Sequence, residues 1–553
     1  MSKRTKKKKE KASPQHTPSG HQEKSGRYYS LIAWGLVIAA MVFIAAIRLR
    51  LLSIPLERDE GEFAYMGQLM LQGIPPYSLA ANMKLPGIYA AYALIMALFG
   101  QTIEGIHLGF LLVNICTMLV LFLLARRLFD DFSGAVACAT YGILSLSPGV
   151  LGTSAHAVHF VVLPALGGIL LLLKAIENDK PITFFVSGIL LGLAFIMKQP
   201  GIFFGIFALF YLIGAQIHKS RTLAKHLLIR TLLFIAGLFI PYLFTCIALY
   251  VLGVFEKFWF WTIIYASEYG SMIPLLDGIT SLFMRVPLII DGFYLLWSLA
   301  GIGIFILWKR KMQTRLLFMY GFFIFSFLAV CPGLYFREHY FVLLLPAVAL
   351  FVGSTMHYFQ MRFTSLKTYQ FLLPLLFLIC FLHGVFSQKL FFFTLTPAMA
   401  CRYMYFPNPF PESIAIAEYI RNHSAQDSAI AVLGSEPQIF FYAHRRSATS
   451  YIYTYSLMEN HKYALTMQQE MIKEIERNRP DYLIFVKTPI SWLRRKDSET
   501  TLFDWFENYK KNYTVAGIIE IVSPRETKYF WDAQAQNYYP QSDAIYVLRR
   551  KAT

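Results

Sequence analysis

From Tyr29 to about Gln388 the chain consists of apolar runs separated by short loops, and the length of those runs limits its fold more than any other feature. A bilayer core takes about 20 apolar residues per helical crossing, and without water there each backbone N–H and C=O must pair within its own segment. Runs near 29–47, 107–124, 134–149, 159–173, 182–197, 202–217, 231–252, 286–308, 316–334, 341–356 and 370–388 predict about eleven transmembrane helices. A further piece, Ile88 to Phe99, is short for a crossing and reads as a surface or re-entrant helix. With 56% hydrophobic and 15% charged residues, the composition excludes an ordinary soluble enzyme.

The net charge of +18 does not point to nucleic acid, because many of the cations lie in the tail KRTKKKKEK and in short loops. Lys and Arg bias toward cytoplasmic loops sets membrane orientation. An inside N-terminus puts Lys219, Arg221, Lys309, Lys311, Arg362 and Lys367, among others, in cytoplasmic loops, and an odd number of spans leaves the C-terminus outside. Residues 1–28 read as a disordered basic cytoplasmic tail and 29–388 as the membrane domain of a multi-pass plasma (inner) membrane protein. Residues 389–553 have the composition of a soluble domain on the periplasmic or extracellular side. There Pro411 to His423, Ser435 to Ala443 and Tyr463 to Arg477 predict helices, and runs at 429–433, 482–486, 514–522 and 544–549 predict strands of a small α/β sheet. No CxxC spacing occurs among the six cysteines, so neither a disulfide framework nor a cysteine metal site is indicated.

The first outer loop, LERDEGEFAYMGQLMLQGIPPYSLAANMKLPG (56–87), concentrates charge beside a span. Arg58, Asp59, Glu60 and Glu62 open a segment whose Phe63, Met66, Leu69 and Met70 fall at helical spacing, which predicts an amphipathic helix along the membrane surface. Asp59, Glu60 and Glu62 are the candidate catalytic acids, and equally fit an N-cap with an acidic first turn. Arg58, Lys84, Lys198 in MKQPG and Arg337 with His339 in YFREHY also fall at outer ends of spans, where orientation does not require cations. Cations converging with carboxylates suggest a bound phosphate and a proton acceptor; singly, each would be an interfacial anchor. Tyr65 is a further substrate-binding candidate on the same helix. His156 and His159, three apart, can share a helix face as metal ligands or as interfacial hydrogen-bonding groups, so a divalent metal stays open as a cofactor. In the outer domain His444, Arg445, Arg446 and Tyr451 follow a predicted strand, and are read as acceptor-binding residues or as a basic turn packed under the sheet.

ERDEGEFAYMGQLMLQGIPPY followed by NMKLPG resembles the first outer loop of the GT-C glycosyltransferases, particularly bacterial relatives of the dolichyl-phosphate-mannose protein mannosyltransferases and of the lipid A aminoarabinose transferase. ARRLFD, FIMKQPG and REHYFVLLLP also fit, over about residues 29–388. The resemblance implies a GT-C-like membrane domain with juxtamembrane helices in its first outer loop. It implies transfer of a sugar, with inversion, from a polyprenyl-phosphate donor to a lipid, glycan or protein acceptor at the outer membrane face. It maps the family's base onto Asp59 and its lipid-phosphate lysine onto Lys84. Met83 stands where the aminoarabinose-type enzyme has an acid, and Val158 with two histidines replaces an acid in the second outer loop, so the sugar and the metal are not fixed. The alternative from another class is a transporter or lipid flippase. Those proteins carry ionisable groups near the bilayer midplane and often repeated halves, whereas here the span interiors are almost free of charge and no repeat is visible.

Overall fold

The structure, a computed structural model, describes residues 20–218, 224–310, 313–363 and 369–551. Residues 1–19 of the basic tail, with Lys219, Arg221, Lys311 and Lys367, lie outside the described residues. The first helix, α1 (Gly20–Arg50), begins ahead of the expected 28/29 boundary and leads into α2 (Arg58–Leu71), α3 (Gly87–Phe99), α4 (Ile103–Leu128), α5 (Asp131–Leu144), α6 (Ala157–Asn178), α7 (Pro181–Met197), α8 (Ile202–His218) and α9 (Ala224–Val251). There follow α10 (Phe255–Trp259), a π-helical turn at Phe260–Tyr265, α11 (Ala266–Gly270), α12 (Leu275–Ile290), α13 (Tyr294–Arg310), α14 (Gln313–Leu328), α15 (Leu345–Phe363) and α16 (Tyr369–Ser387).

Among the described residues five helices are long and apolar enough to cross a membrane: α1, α4, α6, α8 with its leading turn, and α9. The pair α10–α11 and α12, bent by 88°, makes a sixth if it is one span, and α3, α7, α13, α14 and α16 are shorter apolar helices. This is a multi-pass membrane protein. The expected span 286–308 is not continuous: α12 stops at Ile290, Gly292 turns the chain at φ +75°, and α13 starts at Tyr294. The apolar run passes over this break because hydropathy does not register an Asp-Gly turn.

Small residues set the helix packing. A Cβ on Gly188 of α7 would lie 2.2 Å from the Phe234 carbonyl oxygen of α9, and one on Gly237 would lie 2.1 Å from that of Phe185. Lipid offers no hydrophobic drive between helices, so backbone approach of this kind holds them together.

The C-terminal domain opens with α17 (Pro397–Tyr405) and α18 (Phe410–His423), and continues through β1 (Ala429–Leu433), α19 (Gln438–Ala443), β2 (Arg446–Ser447), α20 (Tyr455–Met458), α21 (Ala464–Asn478), β3 (Tyr482–Lys487), α22 (Thr501–Tyr509), β4 (Tyr513–Ser523), β5 (Glu526–Trp531), α23 (Ala533–Gln536) and β6 (Asp543–Arg550). Its sheet runs β2-β1-β3-β6-β4-β5, with β2, β1 and β3 mutually parallel and the remaining pairs antiparallel. The four expected strands form its centre, and the two edge strands are additions: β2 is only two residues long, and β5 alternates partly with charge.

The first-loop helix α2 departs from expectation. It does not lie half-exposed on a membrane surface: Arg58, Glu60 through Leu69 are all buried. The C-terminal domain covers it so closely that a Cβ on Gly61 would sit 2.6 Å from the backbone nitrogen of Gln438 in α19. Its N-cap is Glu57, whose side chain accepts from the Glu60 N–H while Glu60 accepts from the Glu57 N–H, a reciprocal capping box.

Candidate active site

The three candidate acids of α2, within one helical turn, take different directions. Glu60 is fully buried and saturated: its carboxylate faces His107 Nε2 at 3.0 Å and accepts from the Ala155 N–H at 2.6 Å as well as closing the capping box. Glu62 is also fully buried, accepting from Asn82 at 2.7 Å, Tyr89 at 2.7 Å and Lys84 at 2.9 Å. Asp59 alone lines a cavity, with Lys84 Nζ at 2.7 Å on Oδ1 and the Tyr453 hydroxyl at 3.5 Å. Its Oδ2 takes no hydrogen bond among the described residues.

That cavity, about 360 Å³, lies where the helical domain meets the C-terminal domain. Lys84, Lys198, Arg337 and His339 line it with Asp59, so the structure brings together five of the residues singled out from sequence. Their electrostatics differ. Burial pushes the Asp59 carboxyl up, but Lys84, with His156 and Lys198 further off, overrides this and holds the group well below the usual carboxylate range. Burial raises Glu62 and Lys84 only partly opposes it, so Glu62 is drawn toward its neutral form. Lys84 is therefore balanced by Asp59. Lys198, in the turn between α7 and α8, sits 4.1 Å over the Tyr340 ring, and burial brings its pKa down to about 7. Arg337, a permanent cation, lies 5.7 Å from the Tyr335 ring centre. Neither Lys198 nor Arg337 forms an ion pair among the described residues. The cavity is thus charged for an anion.

Asp59, His156 and His339 place three potential ligand atoms within 4.8 Å of one another, and the two imidazoles stack at 4.1 Å. Burial takes His156 down to about 4 and lowers His339 as well, leaving both rings uncharged and their lone pairs available near neutral pH. This donor set of one carboxylate and two neutral imidazoles suits a divalent ion such as zinc or manganese. His159 is not part of it; it is buried edge-on to Phe110 at 4.7 Å, three residues further along α6.

Other candidates serve the joint between the domains. Arg58 pairs with buried Glu436 at 2.7 Å and donates to Tyr455 at 2.6 Å, Asn408 at 2.9 Å and the Ser435 carbonyl. The Tyr65 oxygen accepts from the Ser447 N–H at 2.8 Å, on the face of α2 that meets β2. His444, Arg445 and Arg446 line a separate cleft at the other end of α2, and Tyr451 donates to Glu470 at 2.5 Å. The outer-domain residues that do reach the Asp59 cavity are Tyr453, Tyr455, Ser456 and Glu459, joined by Trp261, Tyr265 and Tyr269 from the segment after α9. Of the run SYIYTYS, Tyr453 and Tyr455 line the cavity and Tyr451 does not; for the 261–269 residues the sequence carries no signal beyond an aromatic cluster.

The profile of the dolichyl-phosphate-mannose-protein mannosyltransferase family matches residues 84–244, a stretch that begins at Lys84 and holds Lys198 but not Asp59. No curated protein matches the chain. Among solved structures, ArnT from Cupriavidus metallidurans bound to undecaprenyl phosphate is similar over 93% of this chain and 97% of its own, with 11% identity and a TM-score of 0.58. The archaeal oligosaccharyltransferase AglB from Archaeoglobus fulgidus, in complex with an inhibitory peptide and a dolichol-phosphate, is similar over 91% of this chain and 75% of its own, with 11% identity and a TM-score of 0.50.

Proposed function

We propose that this chain, whose fold is that of the GT-C glycosyltransferases, moves a sugar from a polyprenyl-phosphate-linked donor to a lipid, glycan or protein acceptor at the outer face of the membrane. The observation that carries this reading is the convergence of one incompletely hydrogen-bonded carboxylate, Asp59, with two cations that lack anionic partners, Lys198 and Arg337, in a cavity at the membrane-domain boundary.

The acceptor hydroxyl donates to Asp59 Oδ2 while its oxygen attacks the anomeric carbon from the side opposite the phosphate. The new C–O bond forms as the bond to the phosphate oxygen breaks, the electron pair leaves with the polyprenyl phosphate, and the anomeric centre inverts. Asp59 is a weak base because Lys84 holds it ionised. That suits a reaction in which the attacking oxygen becomes acidic only as its bond to carbon forms, so the proton moves late. Lys198 and Arg337 carry the charge developing on the departing phosphate, while Lys84 positions Asp59. If a divalent cation binds, Asp59, His156 and His339 would hold it, and it would supply further positive charge to the phosphate.

The reading also assigns the outer domain to the periplasmic or extracellular side, and a C-terminal tag reached by an impermeant reagent in intact cells supports it; a shielded tag overturns it. For the chemistry, the full chain in membranes is given undecaprenyl-phosphate-linked sugars, and release of undecaprenyl phosphate is followed. Wild type releases it from at least one of them and Asp59→Asn does not. Release at a near-normal rate by Asp59→Asn would remove Asp59 from the mechanism.

A further inference from the structure

The mechanism leaves one acid in the cavity unused. Asp59 and Glu459 are the two carboxylates lining it, and Glu459 comes from the outer domain, at the C-terminal end of α20. Its Oε2 accepts a 2.5 Å hydrogen bond from Tyr265 in the π-helical turn. Its Oε1 takes none among the described residues.

The surroundings of Glu459 are mostly aromatic. Trp261, Tyr265, Tyr269, Tyr340, Tyr453 and Tyr455 line the same cavity, and no apolar ligand alone would account for a carboxylate oxygen left open among them. Flat rings stack on the C–H face of a sugar, and a carboxylate accepts from the hydroxyls at its edge; together they make a site for a carbohydrate ring. The segment that supplies Tyr265 is fastened to the outer domain at several points. Trp261 meets Tyr451 at 6.0 Å, Phe260 meets Tyr463 at 5.2 Å, and Glu268 pairs with Lys462 at 3.2 Å. The Tyr265 bond to Glu459 is therefore one fastening among several, and it occupies only one of the two carboxylate oxygens. A π-helical turn, rare and frequently found at functional sites, fits a segment held for a purpose other than packing.

We propose that Glu459 accepts a hydroxyl of a sugar ring stacked on this aromatic wall, and so determines which sugar the protein takes. The proposal rests on the glycosyl-transfer reading above. A site built around a hydrogen-bond partner rejects analogues lacking it far more strongly than an apolar pocket rejects a change of shape. The sugar ring is either that of the donor or that of a glycan acceptor, and the two are separable.

Purified full-length protein is titrated with radiolabelled undecaprenyl phosphate and with its glucose-, galactose-, mannose- and arabinose-linked forms, as wild type, Glu459→Gln and Tyr265→Phe. Glutamine keeps an acceptor for Tyr265, so the fastening survives while the charged partner is lost. If the ring is the donor's, Glu459→Gln weakens the preferred sugar-linked lipid by about tenfold and leaves bare undecaprenyl phosphate within about twofold. If it is the acceptor's, both lipids bind as in wild type, and the apparent KM for a membrane glycolipid fraction used as acceptor rises by about the same factor. Tyr265→Phe removes the fastening bond and keeps the carboxylate, so the sugar preference stays. Equal weakening of bare and sugar-linked lipid in Glu459→Gln, no change in any of these quantities, or an equal loss in Tyr265→Phe would overturn the proposal. A wild-type protein that prefers no sugar-linked lipid over the bare one and releases no undecaprenyl phosphate takes down the glycosyl-transfer reading itself, a result distinct from a failure confined to the Glu459 variant.

Discussion

The two ends of α2 both carry charged and polar side chains against the C-terminal domain, and they differ in how many of those groups are paired. The cleft at the C-terminal end, lined by Tyr65, Gln68, Gln72, His444, Arg445 and Arg446, is the larger, at about 770 Å³ against about 360 Å³ for the Asp59 cavity. Its groups are nonetheless mostly satisfied. Arg445 donates to the carbonyls of Arg421, Ser424 and Ala443, and His444 faces Gln68 at 2.8 Å. At the Asp59 end, among the described residues, Lys198 and Arg337 form no ion pair and Asp59 and Glu459 each keep one oxygen without a hydrogen bond. Unsatisfied charge, rather than volume or the number of ionisable residues, separates a site from a joint.

The comparison is tested most severely by Asp59→Asn. The amide keeps the size but takes no proton, so turnover falls about 10²-fold or more while donor binding survives; transfer assays beside lipid titrations measure both. Next come Lys198→Ala and Arg337→Ala. Each removes a cation that forms no ion pair among the described residues, so each weakens donor binding by about tenfold or more and leaves the thermal midpoint in detergent unchanged. A fall in the midpoint without a change in affinity would make them structural.

A smaller effect comes from pH. Burial brings the Lys198 pKa down to about 7, and in the proposed mechanism its ammonium form is the one that pairs with the phosphate. Affinity for a sugar phosphodiester, whose own charge is constant there, should rise as pH falls from 8 to 6, by up to about tenfold. Asp59 stays ionised through that window and His156 and His339 stay neutral, so they do not contribute. Lys198→Arg should flatten the dependence. At the other end of α2 the expected change in activity is the smallest. Arg445→Ala leaves several carbonyls without a donor and costs about 1–3 kcal/mol of stability, read in a thermal scan, with turnover per folded molecule unaltered. If Arg445→Ala or Arg446→Ala lowers turnover, the cleft takes part after all and the distinction between the two ends fails.

The sequence reveals what is local. Spacing alone places α2, the outer strands β1, β3, β4 and β6, and the cations at span ends, since each of these depends on neighbours within a few residues. It does not reveal what covers them. Arg58 reads as one more outer cation, and its partner Glu436 lies 378 residues away. Glu60 and Glu62 read as candidate acids beside Asp59; their saturation by His107, Asn82, Lys84 and Tyr89 depends on how the loop before α3, α3 itself and α4 fold back. Glu459 and the 261–269 aromatics carry no recognisable motif; only the meeting of two distant segments makes them a wall.

The close seating of Gly61 against Gln438 has a consequence for how the protein can be divided. Composition changes sharply near residue 388, and a chain cut there would seem to keep an intact membrane half. Yet α2 belongs to both halves. Without α19 and its neighbours, Arg58 would lose Glu436, and Tyr65 would lose both the Ser447 N–H and the Phe440 ring. The point where the composition changes is therefore not a seam, and neither half should be expected to refold or bind lipid alone.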